Sequence, residues 1–155
     1  MRQAFREAGL RPREQPDFHG WLCVHFVSDA GLYSQGPRLG SLSKLAGATG
    51  DLREALLSGR ELLPLLQARG LGLRRHGAGV LLFLAPTWLT ARTLAWLTAH
   101  VALARMTVGA HSDPEAAEPR EICRDVLAEA GRWGMSVPRL EAAEPNFAGE
   151  GTGLA

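Results

Sequence analysis

The residues with the most chemistry to offer are cations that have no acids around them. After Glu61 the next carboxylate is Asp113, and the 51 residues between hold Arg69, Arg74, Arg75, Arg92 and Arg105 with His76, His100 and His111. Neighbours in sequence cannot neutralise five such guanidinium groups. Their field must reach water, an anionic lipid, nucleic acid or acids elsewhere in the chain. Residues 1–105 carry 13 Lys and Arg against 7 Asp and Glu, and residues 106–155 carry 4 against 9. A body of net +6 therefore precedes an end of net −5. Either the acidic end lies across the basic body, or an anionic partner binds that body. Sixteen of the 17 basic residues are arginine, a bias that GC-rich coding produces by itself, so the placement of the arginines says more than their number.

Other reactive side chains form weaker patterns. Ser41-Leu-Ser-Lys44 matches S-x-x-K, the serine–lysine pair of penicillin-recognising enzymes, but the companion motifs S-D-N and K-T-G are absent. Gly31-Leu-Tyr-Ser-Gln-Gly36 misses a nucleophile elbow by one residue. His19, Cys23 and His25 lie within seven residues, and a strand there would put Cys23 and His25 on one face. Zinc would still lack a fourth ligand, and there is no C-x-x-C. Gly70-Leu-Gly72 and Gly77-Ala-Gly79 lack the spacing of a dinucleotide or phosphate-binding loop and read as turn glycines. No catalytic set, metal or cofactor is implied.

The elements that would position the cations read as α+β. Arg2 to Ala8 suggests a short helix stopped by Gly9, and Trp21–Val27, aromatic and β-branched, predicts a strand. Ser41–Gly50 predicts a short helix. Asp51-Leu-Arg-Glu54 looks like a capping box for a second helix, and Ser58-Gly-Arg-Glu61 like another. Pro64 conflicts with the latter, so the helix there either starts nearer Glu61 or is kinked. Leu71–Ala85 reads as a β-hairpin with a basic, Gly-rich tip at Arg74–Gly79. Thr87–Met106 predicts a helix apolar almost all round, the mark of a central core helix or an interface. Pro119 opens a last, acidic helix through Ala130, with Gly131 as its stop, and a Gly-rich tail of residues 144–155 is expected to be disordered.

Short helix, turn, second helix and basic hairpin is the order of a winged helix-turn-helix. The expectation is one globular domain, residues 1–143. It comprises a winged helix-turn-helix-like core (41–85), an added N-terminal strand and two C-terminal helices (87–106 and 119–130). The function that follows is DNA binding, as a transcriptional regulator or replication accessory. Lys44, Arg53 and Arg60 would lie near the groove, and Arg74 and Arg75 would hold phosphates from the wing. Trp88, Trp96, Leu97 and Val101 would form a homodimer or protein interface. Two alternatives stay open. One is a non-catalytic interaction module using helix 87–106, with a variant that sets Trp88, Trp96 and the arginines at a lipid surface. The other is a small enzyme collecting His25, Ser34 or Ser41 near a titratable group. Two cysteines in 155 residues make no disulfide framework. A polar N-terminus and apolar runs too short to cross a bilayer, which needs about 20 residues, predict a cytoplasmic location and no transmembrane segment.

Overall fold

A computed structural model describes residues 15–109 and 117–147, together with Glu7 and Gly9. Among these residues every regular element is helical and no strand occurs, so the α+β winged-helix expectation is overturned. The order is α1 (Phe18–Tyr33), α2 (Gly36–Leu39), a 3-10 turn (Leu42–Leu45), α3 (Thr49–Glu61) and α4 (Leu63–Ala68). A second 3-10 turn (Leu73–His76) leads into α5 (Gly77–Leu84), α6 (Thr87–His100), α7 (Ala102–Gly109), α8 (Ala117–Arg132) and α9 (Pro138–Phe147).

The expected strand Trp21–Val27 lies inside α1. Asp17 caps this helix, its carboxylate accepting from the Gly20 amide at 2.9 Å. The buried positions Gly20, Cys23, Val24, Val27, Ala30 and Gly31 recur every three or four residues. That is helical spacing, and it overrides the β preference of the local side chains. Gly31 has a packing role. A Cβ there would stand 2.8 Å from the Ala55 carbonyl oxygen and 3.0 Å from the Gly59 amide nitrogen, so its absence lets α1 and α3 cross backbone to backbone.

The expected hairpin is also helical. Leu71 and Gly72 lead into the 3-10 turn Leu73–His76, and Val80–Leu84 continue α5 instead of forming a second strand. An unbroken run of five large apolar residues lacks the alternation of a half-buried strand, and length alone could not separate strand from helix. At Pro64 the chain takes the first of the two courses foreseen. Helix α3 ends at Glu61 and α4 restarts at Leu63, so Pro64 falls in a first turn where its missing N–H costs nothing. The Asp51–Glu54 capping box does not form. Helix α3 begins at Thr49, three residues before the start that box would set, Asp51 pairs with Arg38, and Glu54 pairs with Arg139.

Helix α3 is the hub, packed between α1 and α6, while α8 and α9 close over α1 and α3. One core joins all of them, with Leu45, Leu52, Leu62, Leu66, Val80, Cys123, Val137, Leu140 and Phe147 at 2% exposure or less. The acidic end is thus part of the core. Helix α9 runs through Phe147, so residues 144–147 of the expected disordered tail are helical, and residues 148–155 lie outside those described.

Candidate functional site

The five cations expected on DNA are placed in three different ways. Lys44 donates to the Leu39 carbonyl at 2.7 Å, at the end of α2. Arg60 donates to the carbonyls of Phe83 and Ala85, at the end of α5. Both are fixed to helix C-termini, where unpaired carbonyls and the helix dipole favour a cation. Arg53, half exposed, lies 3.4 Å from its neighbour Glu54. Only Arg74 and Arg75, exposed on the 3-10 turn, have no carboxylate partner among the described residues. The structure therefore does not assemble the five into one cationic face.

The other arginines of the acid-free stretch divide likewise. Arg105 binds the carbonyls of Thr98 and Ala99 where α6 ends. Arg69 lies 3.7 Å from Glu129 of α8, a direct contact between basic body and acidic end. Glu129 is held below the usual carboxylate range by hydrogen bonds from Arg132 and Trp133, with Arg69 adding its charge. Arg92 joins Arg74 and Arg75 in having no carboxylate partner among the described residues.

The residues expected at an interface lie on or beside α6. The predicted helix 87–106 breaks at Val101, whose backbone is extended (ψ 114°), into α6 and α7. Helix α6 packs inside out. Its buried side carries Thr87, Thr90, Ala91, Ala95 and Thr98, while Trp88, Leu89, Arg92, Trp96 and His100 face outward. Trp88 is 62% exposed and Trp96 59%; Val101 is exposed and Leu97 half-buried. The physical cause is close approach: the Gly47 amide donates to Thr98 Oγ1 at 3.0 Å, and α6 lies tightly on α3. Only small side chains fit that seam.

The outward apolar surface extends to both sides of α6. Leu81, Leu82 and Leu84 of α5 are exposed, as are Leu103 (73%) and Met106 (70%) of α7. Single exposed apolar residues need no explanation, but this many on three consecutive helices do. None of these α5 and α7 residues, nor Trp88 or Leu89, lines any of the three clefts described here. Arg92, Trp96 and His100 of α6 do line a shallow depression of about 420 Å³, together with Gly47 and Thr49.

Two of those clefts carry polar chemistry. The first, of about 350 Å³, lies between α1 and the start of α5 and is lined by Gln15, Trp21, His25, Ser28, Arg75, His76 and the glycines 77 and 79. His25 Nε2 is 3.3 Å from Asp29, and its ring stacks on Trp21 at 5.1 Å. Asp17 is kept below its usual range mainly by the Gly20 amide, with smaller help from His76. The second cleft, of about 360 Å³, lies between α1, α4 and α8. It has an apolar floor including Cys23 and Val126 and a rim of Arg69, Asp125, Glu129 and Arg132.

The expected metal candidates separate. His19 Nε2 lies 3.7 Å from Cys23 Sγ, but His25 turns to Asp29, and no group of three metal-binding side chains occurs among the described residues. Cys23 and Cys123 are both buried and unbridged. Sequence reasoning missed the outward role of Leu81, Leu84, Leu89, Arg92, Leu103 and Met106. Its available signal was the small-residue stripe Thr87, Ala91, Ala95 and Thr98, which marks the buried side. Compared with known proteins, the chain matches no family model, no curated sequence and no solved structure.

Proposed function

We propose that this chain is a non-catalytic docking module that lays α5–α7 on an anionic membrane surface. The observation that carries the reading is the inverted packing of α6, which turns Trp88, Leu89, Arg92 and Trp96 outward while small residues fill the core. Covering a large apolar side chain is worth about 1.5–3 kcal/mol, so a face of this kind gains by meeting something apolar. A helix of 14 residues reaches about 21 Å, long enough to lie along a bilayer interface with its apolar side sunk about 5–10 Å. No helix among the described residues is long and apolar enough to cross a membrane.

Charge selects the partner. The chain has no carboxylate from residue 62 to 112, α6 turns Arg92 outward, and Arg74 and Arg75 are exposed on the turn before α5. A second copy of the chain would set arginines against arginines, whereas anionic lipid satisfies both the cations and the apolar groups. Tryptophan suits the same boundary, with an apolar body and one polar N–H. Duplex DNA would engage the arginines but leave Leu81, Leu84, Leu103 and Met106 in water.

Co-sedimentation with vesicles tests the reading. The chain is expected to bind phosphatidylcholine vesicles containing about one third phosphatidylglycerol, and pure phosphatidylcholine less well. Raising salt from about 50 to about 200 mM should weaken the anionic case, because added ions screen the arginines. Absence from the vesicle pellet in both lipids would overturn the reading. Concentration-dependent dimerisation without lipid would reassign the face to a second copy, and salt-sensitive binding to duplex DNA alone would restore the nucleic-acid reading.

A further inference from the structure

The cleft between α1, α4 and α8 takes no lining residue from α5, α6 or α7 and so is distinct from the docking face. Its walls are helical stripes. Helix α1 contributes Cys23, Phe26 and Val27, and α8 contributes Ile122 and Val126. In each set the spacing of three or four residues turns the side chains one way. The resulting floor is apolar, and the volume of about 360 Å³ falls at the lower end of small-molecule pockets. Phe26 lines this cleft yet stays 41% exposed, so ring surface remains to be covered.

The rim carries two arginines and two carboxylates, and the four are not equivalent. Glu129 accepts from Arg132 Nε at 2.8 Å and from Trp133 Nε1 at 3.0 Å, and Arg69 stands 3.7 Å away from it. Both rim arginines are thereby drawn to one carboxylate. Asp125, one turn earlier on α8, lines the same cleft, and its carboxylate has no ion-pair or hydrogen-bond partner among the described residues. It is the one rim charge without an opposite charge beside it.

We infer that this cleft binds a small apolar amine, with the hydrocarbon part on the floor and the ammonium at Asp125. Covering the floor and the Phe26 ring supplies the hydrophobic gain. An ammonium donates to a carboxylate through charge-assisted hydrogen bonds, and an aromatic ring close by adds cation–π attraction. A carboxylate ligand fits less well. It would compete with Glu129 for Arg69 or Arg132 and would meet Asp125 as a like charge, which selects against it.

Titration of the full chain with phenethylamine near pH 7, followed by amide chemical shifts, tests the inference. Saturable shifts are expected, centred on residues 23–27 and 122–129. Asp125→Asn, a change at an exposed position, should weaken the amine about fivefold, the scale of one well-placed surface ion pair. The same variant should leave phenethyl alcohol unaffected, since that analogue keeps the ring without the charge. Phe26→Ala should weaken both compounds. Trp88→Ala with Trp96→Ala should weaken neither, which separates this site from the docking face whatever the outcome with vesicles. Lack of saturable binding would overturn the inference, as would phenylacetate binding as tightly as the amine. Equal loss of amine and alcohol in Asp125→Asn would overturn the assigned role of its carboxylate.

Discussion

A cation without a carboxylate can be satisfied by the carbonyl end of a helix, and this chain uses that solution repeatedly. Arg60 closes α5, Arg105 closes α6 and Lys44 closes α2. The absence of acids between residues 61 and 113 was plain in the sequence. That part of the charge would be met by backbone carbonyls was not, because such partners depend on where helices end in space. Half-buried Arg60 matters most, since it joins α3 to α5. Arg60→Met should lower stability by about 1.5–3 kcal/mol, the range for lost hydrogen bonds to a charged group, read as a shift in urea midpoint. An unchanged midpoint would mean that water replaces the guanidinium at no cost. Cys123 offers a second check. Burial, with a contribution from Asp29, pushes its thiol up to about 12. Because the thiolate is the reactive form, Cys123 should resist a thiol reagent near pH 8 until the chain unfolds. Rapid native labelling of Cys123 would contradict its placement.

Glycine and proline marked some element ends but not others. Gly50, Gly77, Gly79 and Gly131, read as stops or turn glycines, lie inside α3, α5 and α8, and apolar runs without a period hid their type. Gly70 (φ 78°) ends the segment after α4 as expected, and Pro64 starts a new helix. Trp21–Val27 and Val80–Leu84 were assigned to strands on side-chain type. In α1 the helical spacing of buried positions includes Gly20, Ala30 and Gly31, which pack tightly without being hydrophobic enough to register in a pattern. In α6 the sequence left core and interface as equal readings, because the close seam is formed by Thr, Ala and Gly47 and not by the large apolar residues. The glycine seam makes its own prediction. Gly31→Ala gains about 1 kcal/mol in helix propensity but drives a methyl into the Ala55 carbonyl, costing about 1–3 kcal/mol. A net loss of thermal stability is expected. A rise in melting temperature would show that the α1–α3 crossing is looser than described. On α6, Trp88→Ala with Trp96→Ala should leave stability within about 0.5 kcal/mol, as for exposed positions generally. A large loss would mean the tryptophans are packed.

At the scale of the whole molecule, the acidic end completes the core instead of masking a basic surface. Ile122, Cys123, Val126, Leu140 and Phe147 are buried against the body, and Arg139 bridges back to Glu54 and Glu61. The charge asymmetry read from the sequence is real. Part of it is resolved through Arg69–Glu129, while Arg74, Arg75 and Arg92 stay uncovered by any acid among the described residues. Acid should loosen this closure. Asp17 and Glu129 are both held below their ordinary values of 3.8 and 4.5, so the stability they contribute is complete above those values and lost as pH falls below them. The urea midpoint near pH 3 should therefore lie below that near pH 7. The central claim concerns the face built from α5, α6 and α7. Its most direct test is the fluorescence of Trp88 as the sole tryptophan, with Trp21, Trp96 and Trp133 changed to Phe, on titration with anionic vesicles. Docking through this face predicts a blue-shifted emission that reverses at high salt. Emission unchanged at saturating lipid would contradict it.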